Sequence, residues 1–256
     1  MINVNRKKRF FIISVALVLS IMLFASFVLT GCDIARKVKG PEAKFPGKIS
    51  NSQKLSFKMD VSYKKGDVTT AISMICYRAK NEAGEDEYAY VYSYVGSAYQ
   101  SYKNIYADGK LYEVVNVTQN AGSYYTKDNV SVDDDGNILY HITQKILLTS
   151  VVAFISKAKK ETLREESVYR YDVSISGKNV SLWYNSEALV QLYVAFENDG
   201  AETEEYTIAL SDYTFDQDLP EEAFKRPSTY GITYIQSPIS FEDWTNILTS
   251  FAQKLG

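Results

Sequence analysis

The chain has 256 residues, 46% of them hydrophobic and 23% charged, enough apolar material for a sizeable core, which excludes wholesale disorder. Four of the 28 basic residues (Arg6, Lys7, Lys8, Arg9) and none of the 31 acidic ones fall in the first 31 positions, so the remainder carries 24 against 31, a net charge of −7. That sign speaks against nucleic acid as a partner, and a single histidine, His141, excludes His-rich metal sites; no cofactor and no metal is expected.

The basic cluster opens into an apolar run from Phe10 to Leu29, broken only by Ser14, Ser20 and Ser26. Basic residues followed by such a run describe an export signal, and the run alone also suits a membrane-spanning helix. Its end decides between them. Leu29-Thr30-Gly31-Cys32 resembles the lipobox of bacterial lipoproteins, with an apolar residue, two small ones and then cysteine. The resemblance implies cleavage between Gly31 and Cys32, transfer of lipid to the Cys32 thiol, and anchoring on the extracytoplasmic side of the cell membrane. Residues 33–53 hold Gly40, Pro41, Pro46, Gly47 and five basic residues with almost no hydrophobic periodicity, and read as a tether. The expected division is a signal peptide (1–31), a lipidated cysteine and tether (32–53) and a single β-rich domain (54–256).

From Lys54 the period is two. Leu55, Phe57, Met59, Val61 and Tyr63 alternate with polar residues, which makes one strand face apolar and the other wet. A turn at Lys65-Gly66-Asp67 leads to a partner strand at 68–77, and strands at 87–95, 99–107 and 110–117 continue the meander through the Asp108-Gly109 turn. The stretch 140–160 then predicts a helix, carrying Ile142, Ile146, Leu148, Val151 and Ile155 and closing on Lys157, Lys159 and Lys160. Strands resume at 169–176, 180–184, 189–197 and 204–215. A last helix follows Ser240, with Trp244, Ile247, Leu248, Phe251 and Leu255 on one face. About nine strands and two helices make an α+β domain, a large curved antiparallel sheet or incomplete barrel with a central and a C-terminal helix.

Two segments carry a family resemblance. Ile105-Tyr106-Ala107-Asp108-Gly109-Lys110-Leu111-Tyr112 looks like a strand-turn-strand hairpin common in the LolA-like lipoprotein-carrier superfamily. The run from Phe215 through Leu219-Pro220 and Phe224 to Pro227 resembles a late segment of the same proteins. The resemblance covers roughly residues 54–236 and implies an incompletely closed sheet whose hollow, covered by helices, shelters acyl chains. An expected lipid anchor of its own sets this chain apart from soluble carriers, and points to a membrane-tethered receiver, lipid handler or sensor.

Tyrosine stands out, with 21 residues. Tyr88, Tyr90, Tyr92 and Tyr94 project to one face of one strand, where amphipathic rings suit the lining of a cavity for an amphiphile or simply a half-exposed sheet face. With Leu148, Val151 and Ile155 of the covering helix they are the expected ligand-binding residues. Cys76, in phase with Ile72 and Met74, reads as an inert core thiol. Asp133-Asp134-Asp135-Gly136-Asn137 invites a calcium reading, but Ile142 stands where an EF-hand loop needs its bidentate glutamate, so an acidic turn is expected. Recognisable nucleophile elbows, zinc-protease helices and phosphate loops are missing, and no catalytic residue is assigned. The expected function is a membrane-anchored, non-enzymatic binding module. Its rivals are a cell-envelope hydrolase built on paired carboxylates and a purely structural interaction lipoprotein.

Overall fold

The computed structural model of the chain describes residues 41–93, 101–118, 121–133, 137, 139–144, 146, 156–197, 202–227, 232–239 and 242–255. Twelve strands form one sheet, in the order β12-β6-β5-β4-β3-β2-β1-β11-β10-β9-β8-β7. β1 (Lys54–Lys65), β2 (Val68–Lys80), β3 (Asp86–Ser93), β4 (Ser101–Ala107), β5 (Lys110–Thr118) and β6 (Ala121–Asp128) run as a meander away from the centre. The other half contains β7 (Ala158–Leu163), β8 (Glu166–Ile175), β9 (Lys178–Tyr184) and β10 (Leu189–Phe196). It returns through β11 (Glu204–Phe215) to the far side of β1. Pairing is antiparallel except where the two-residue β12 (Thr233–Tyr234) joins β6 in parallel, and the sheet does not close.

Period two sets which face is buried. Leu55, Phe57, Met59 and Val61 of β1 lie opposite Arg78, Cys76, Met74 and Ile72 of β2, and all eight are buried. On the other side Val61 faces Ile208 and Met59 faces Leu210. The same inward phase continues through Leu192, Leu182 and Tyr171. Burying each such side chain contributes about 1.5–3 kcal/mol. Tight turns hold the register. Gly66 takes φ 57°, the left-handed region that favours glycine, while a Cβ there would meet only the movable carboxylate of Glu202. Asp108 and Gly109, at φ 52° and 68°, form the expected two-residue hairpin turn.

Three helical segments cover the inner face. α1 (Pro41–Asn51) buries Phe45 and Ile49, with Phe45 edge-on to Tyr184 and Tyr213. Residues 139–144 and 146 are helical and bury Leu139, Ile142 and Ile146. α2 (Glu242–Leu255) buries Leu248, Phe251 and Leu255, with Phe251 against Tyr206 at 5.3 Å between ring centroids.

Three expectations differ from this. Pro41–Asn51, read from the sequence as tether, is a helix, because Phe45 and Ile49 are spaced one helical turn apart and fill the sheet's inner face. Lys159 and Lys160 are not the last turn of a helix. They belong to the edge strand β7, where Lys159 pairs with Asp172 at 2.9 Å and charged residues suit an unpaired edge. β6, β7 and β12 join the nine expected strands.

Past the Gln191–Ala209 pair, β10 and β11 part company. β11 stays on β1 as far as Phe215, while the start of β10 stays on β9, with Leu189 opposite Tyr184. Tyr213 Oη, donating to Leu189 O at 3.0 Å, spans the split.

Candidate functional site: an aromatic inner face with buried polar groups

Tyr88 and Tyr90 of β3 take the inward phase. Tyr88 lies opposite Arg78 and Tyr106, Tyr90 opposite Cys76 and Asn104, and the register places Tyr92 opposite Met74 and Tyr102. Their surroundings differ from a cavity wall. Tyr88 and Tyr90 are 1% and 4% exposed, Tyr88 meets Tyr140 edge-on at 5.9 Å, and Leu139 closes over Tyr90. What remains among Met59, Met74, Cys76, Tyr90 and Leu139 is about 160 Å3 of interstitial space with no room for a water molecule. At this position the hollow is filled by the chain's own side chains. Gly31, Cys32, Tyr94, Leu148, Val151 and Ile155 lie outside the described residues.

Polar groups sit in this apolar phase. Asn104 Nδ2 donates to Tyr90 Oη at 2.6 Å, and Asn104 is opposite Glu113, whose Oε2 accepts from the Ile239 amide at 2.9 Å. Burial raises the Glu113 pKa against the lowering influence of that amide and of Lys127. Burial likewise raises the Tyr90 and Tyr88 hydroxyls. Arg78, 4% exposed, donates to Ile49 O and Ser52 O and approaches Asp86 at 3.9 Å, so a cation closes the C-terminal end of α1. Arg78 Nε, Asp86 Oδ1 and Asn104 Oδ1 are buried without a hydrogen-bond partner, and all three belong to β2–β4. Sequence reading passed over Arg78, Asn104 and Glu113, although each is a polar residue in phase with apolar inward neighbours.

The outer face of the same strands is covered differently. Phe224 packs on Ala89, Ile105 and Ala107. Lys103 Nζ donates to Glu222 O, and Arg226 pairs with Asp108 in the hairpin turn. The two segments that carry the family resemblance therefore touch each other. Burial lowers the Lys103 pKa to about 8 against the raising influence of Glu222.

The Cys76 thiol is wholly buried and its pKa is pushed up, which leaves it protonated. Among the described residues no group of three His, Cys, Asp or Glu is placed to hold a metal ion. Asn137 caps the helical residues that follow it, its Oδ1 accepting from the Tyr140 amide at 3.2 Å, and Asp134, Asp135 and Gly136 lie outside the described residues. No helix of the described residues is long and apolar enough to cross a membrane.

No family model matches the sequence, and no curated protein does. Among solved structures the chain is similar to LprF from Mycobacterium bovis, at 10% identity over 72% of this chain and 99% of that one, with a TM-score of 0.43. It is similar to a domain from Vibrio parahaemolyticus described as an outer membrane lipoprotein-sorting protein, at 10% identity over 73% and 97%, with a TM-score of 0.29. The MucA/MucB complex of Pseudomonas aeruginosa gives 7% identity, 72% and 61% coverage and a TM-score of 0.36. These overlaps are partial, and neither a family nor an activity follows from them.

Proposed function

We propose that this chain is a membrane-anchored lipoprotein whose domain is a non-enzymatic binding module, taking an amphiphile between the inner face of the sheet and its helical cover. The anchor rests on Leu29-Thr30-Gly31-Cys32 behind a basic cluster and an apolar run. What carries the ligand reading is the inner face itself. It is aromatic and aliphatic, yet Asn104 holds a buried acceptor oxygen without a donor beside Tyr90 and opposite Glu113. Binding sites for amphiphiles combine apolar walls with a few converging polar groups. Since the hollow under Leu139 is filled, a ligand enters by displacing the helical residues 139–146, its apolar part replacing Leu139, Ile142 and Ile146. Leu148, Val151 and Ile155 continue this cover in the proposal.

Fatty-acid labelling of growing bacteria marks the wild type and not Cys32→Ala; equal labelling of both removes the anchor from the proposal. Native mass spectrometry of the full chain extracted from membranes is expected to show co-purifying acyl species, lost in a folded Val151→Asp variant. The filled hollow favours one rival, an interaction lipoprotein with a solid core, because space too small for a single water molecule falls far short of the roughly 300–1,000 Å3 of ligand pockets. Ligand-free protein that also ignores added phospholipid leaves that rival standing, and turnover of cell-wall fragments would establish the hydrolase instead.

A further inference from the structure

One cross-strand row on the inner face changes character along its length. It starts at Phe57 of β1 and continues through Cys76, Tyr90, Asn104, Glu113 and Tyr125 of β2 to β6, each directly opposite the next. Phe57, Cys76 and Tyr90 are at most 4% exposed, and Leu139 lies over Cys76 and the Tyr90 ring. From Asn104 onward the side chains are polar. With about 4.8 Å between neighbouring strands, Phe57 stands about 14 Å from Asn104, the reach of a twelve-carbon chain.

The polar end of the row is rich in acceptors and short of donors. Asn104 is 7% exposed, its Nδ2 is engaged by Tyr90 Oη at 2.6 Å, and its Oδ1 is buried with no hydrogen-bond partner. Opposite it, the half-buried Glu113 accepts one hydrogen bond among the described residues, from the Ile239 amide at 2.9 Å, and burial raises its pKa. A carboxylate can accept about four. The nearby cations are placed otherwise. Arg78, two residues along β2 from Cys76, donates to Ile49 O and Ser52 O and faces Asp86, while Lys127, exposed on β6, lies within electrostatic reach of Glu113. Side chains directly opposite on one face bring their Cβ atoms within about 4.5–5.5 Å, so a single head group can meet both Asn104 and Glu113.

We propose that the polar end of this row selects the head group of the amphiphile, taking a hydrogen-bond donor without negative charge, a hydroxyl or an ammonium, against Asn104 Oδ1 and the Glu113 carboxylate. This rests on the amphiphile reading above and names the head group that reading leaves open. The tail lies along Tyr90, Cys76 and Phe57 in the space vacated by Leu139. A donor at Asn104 Oδ1 satisfies an acceptor that the fold itself leaves unpaired, so binding gains a hydrogen bond that an ester head does not offer. A carboxylate or phosphate head brings acceptors to acceptors and a like charge to Glu113, and is rejected.

The test is native mass spectrometry of the full chain in micelles of a nonionic detergent, at about pH 8.5 so that a fatty acid is ionised. The twelve-carbon probes are monododecanoylglycerol, dodecylammonium, methyl dodecanoate and dodecanoate. The first two should bind about ten-fold more tightly than the ester, which only accepts hydrogen bonds, and than the anion. Asn104→Leu should bring monododecanoylglycerol down to the level of the ester. Glu113→Gln, which keeps an acceptor for the Ile239 amide, should weaken dodecylammonium by about ten-fold and monododecanoylglycerol by about two-fold or less, which separates ionic from hydroxyl recognition. Thermal melts establish that each variant is folded, and should Asn104→Leu not fold, Glu113→Gln and the order of the probes on the wild type decide. Dodecanoate or the ester binding as tightly as the donor heads overturns the head-group assignment and leaves the amphiphile reading intact. An unchanged order in the folded variants also overturns it, by placing the head elsewhere. Saturable binding of none of the probes removes the amphiphile reading and this proposal with it.

Discussion

The two halves of the inner face have the same pleat and different chemistry. Across β8–β11 the inward phase is Val173, Val180, Leu182, Leu192, Val194 and Ile208 with Tyr171, Tyr184 and Tyr206, all buried, beneath Phe251 and Leu255 of α2, and the buried carboxylate in this phase, Glu204, is paired with Lys254 of α2 and with Lys65. Across β2–β5 that phase admits Arg78, Asn104 and Glu113 among tyrosines, and the three unpartnered buried side-chain atoms of the described residues all fall there. An unsatisfied buried polar atom costs about 1–3 kcal/mol, so the first half is built for stability and the second retains groups that cost stability. The ligand exchange proposed for this domain would fall on the β2–β5 side, where that cost is held.

The largest effect should come from breaking the apolar half. Phe251→Ala removes a ring that is 1% exposed and packed on Tyr206, and should cost about 3–5 kcal/mol in chemical denaturation, because the rigid sheet cannot collapse into the space. A loss below about 1 kcal/mol would mean that α2 is not part of the core. Next comes Arg78→Met in the polar half. It strips the cation from Ile49 O and Ser52 O and leaves Asp86 without its partner, at a cost of about 2–3 kcal/mol. Hydrogen exchange should show α1 opening ahead of the sheet, and uniform opening would contradict the capping role.

How far these halves were legible in sequence depends on phase. The nine long strands announce themselves through period two, and at Leu55, Phe57, Met59 and Val61 the inward side was readable as well. β6 was not, since Gly122, Ser123, Tyr124, Tyr125 and Thr126 are each half-buried on both phases and offer no alternation. β7 hides because an edge strand with Lys159, Lys160 and Glu161 has no apolar face to display. α1 hides behind Pro46 and Gly47, its two anchors Phe45 and Ile49 being too few for a periodic signal. Tyr88 and Tyr90 share one face of β3 as period two predicts, but a sequence does not say what lies over a face. Leu139 and Tyr140 reach it from a segment about 50 residues away in the chain, a non-local contact that no local pattern encodes.

A stabilising change sharpens the contrast from the other side. Lys103 is buried on the outer face of the polar half, with its pKa lowered from 10.5 to about 8. Below pH 8 both folded and unfolded chains carry the charge, and the folded state bears the burial penalty in full. Between 8 and 10.5 the folded lysine loses its proton before the unfolded one, so wild-type stability gains as pH rises. Lys103→Met should therefore be the more stable protein at pH 7, by about 1 kcal/mol after the lost bond to Glu222 O is allowed for, and the difference should shrink by pH 10. Denaturation midpoints at pH 7 and 10 check it, and a destabilised variant at pH 7 would show that the lysine anchors the 221–227 segment more strongly than burial penalises it.

The smallest effect belongs to the wet side of the apolar half. Asp172 is partly buried, which raises its pKa, but hydrogen bonds from Lys159, Ser181 and Arg170 outweigh this and hold it at about 2. With the folded pKa below the unfolded value, the interaction contributes in full above about pH 4 and is lost as pH falls towards 2. Its side chain is 40% exposed, so solvent screens most of that gain, and Asp172→Asn should cost no more than about 0.5 kcal/mol at neutral pH in 0.15 M salt. The cost should diminish further in 1 M salt and vanish near pH 2. A loss as large as that of Arg78→Met would overturn the contrast, because it would mean that the wet surface of β7–β9 carries stability assigned to the core beneath. A small, salt-sensitive loss fits a surface network of Arg170, Glu161 and Trp183 that orders the edge of the sheet while Leu182 and Tyr171 hold it in place.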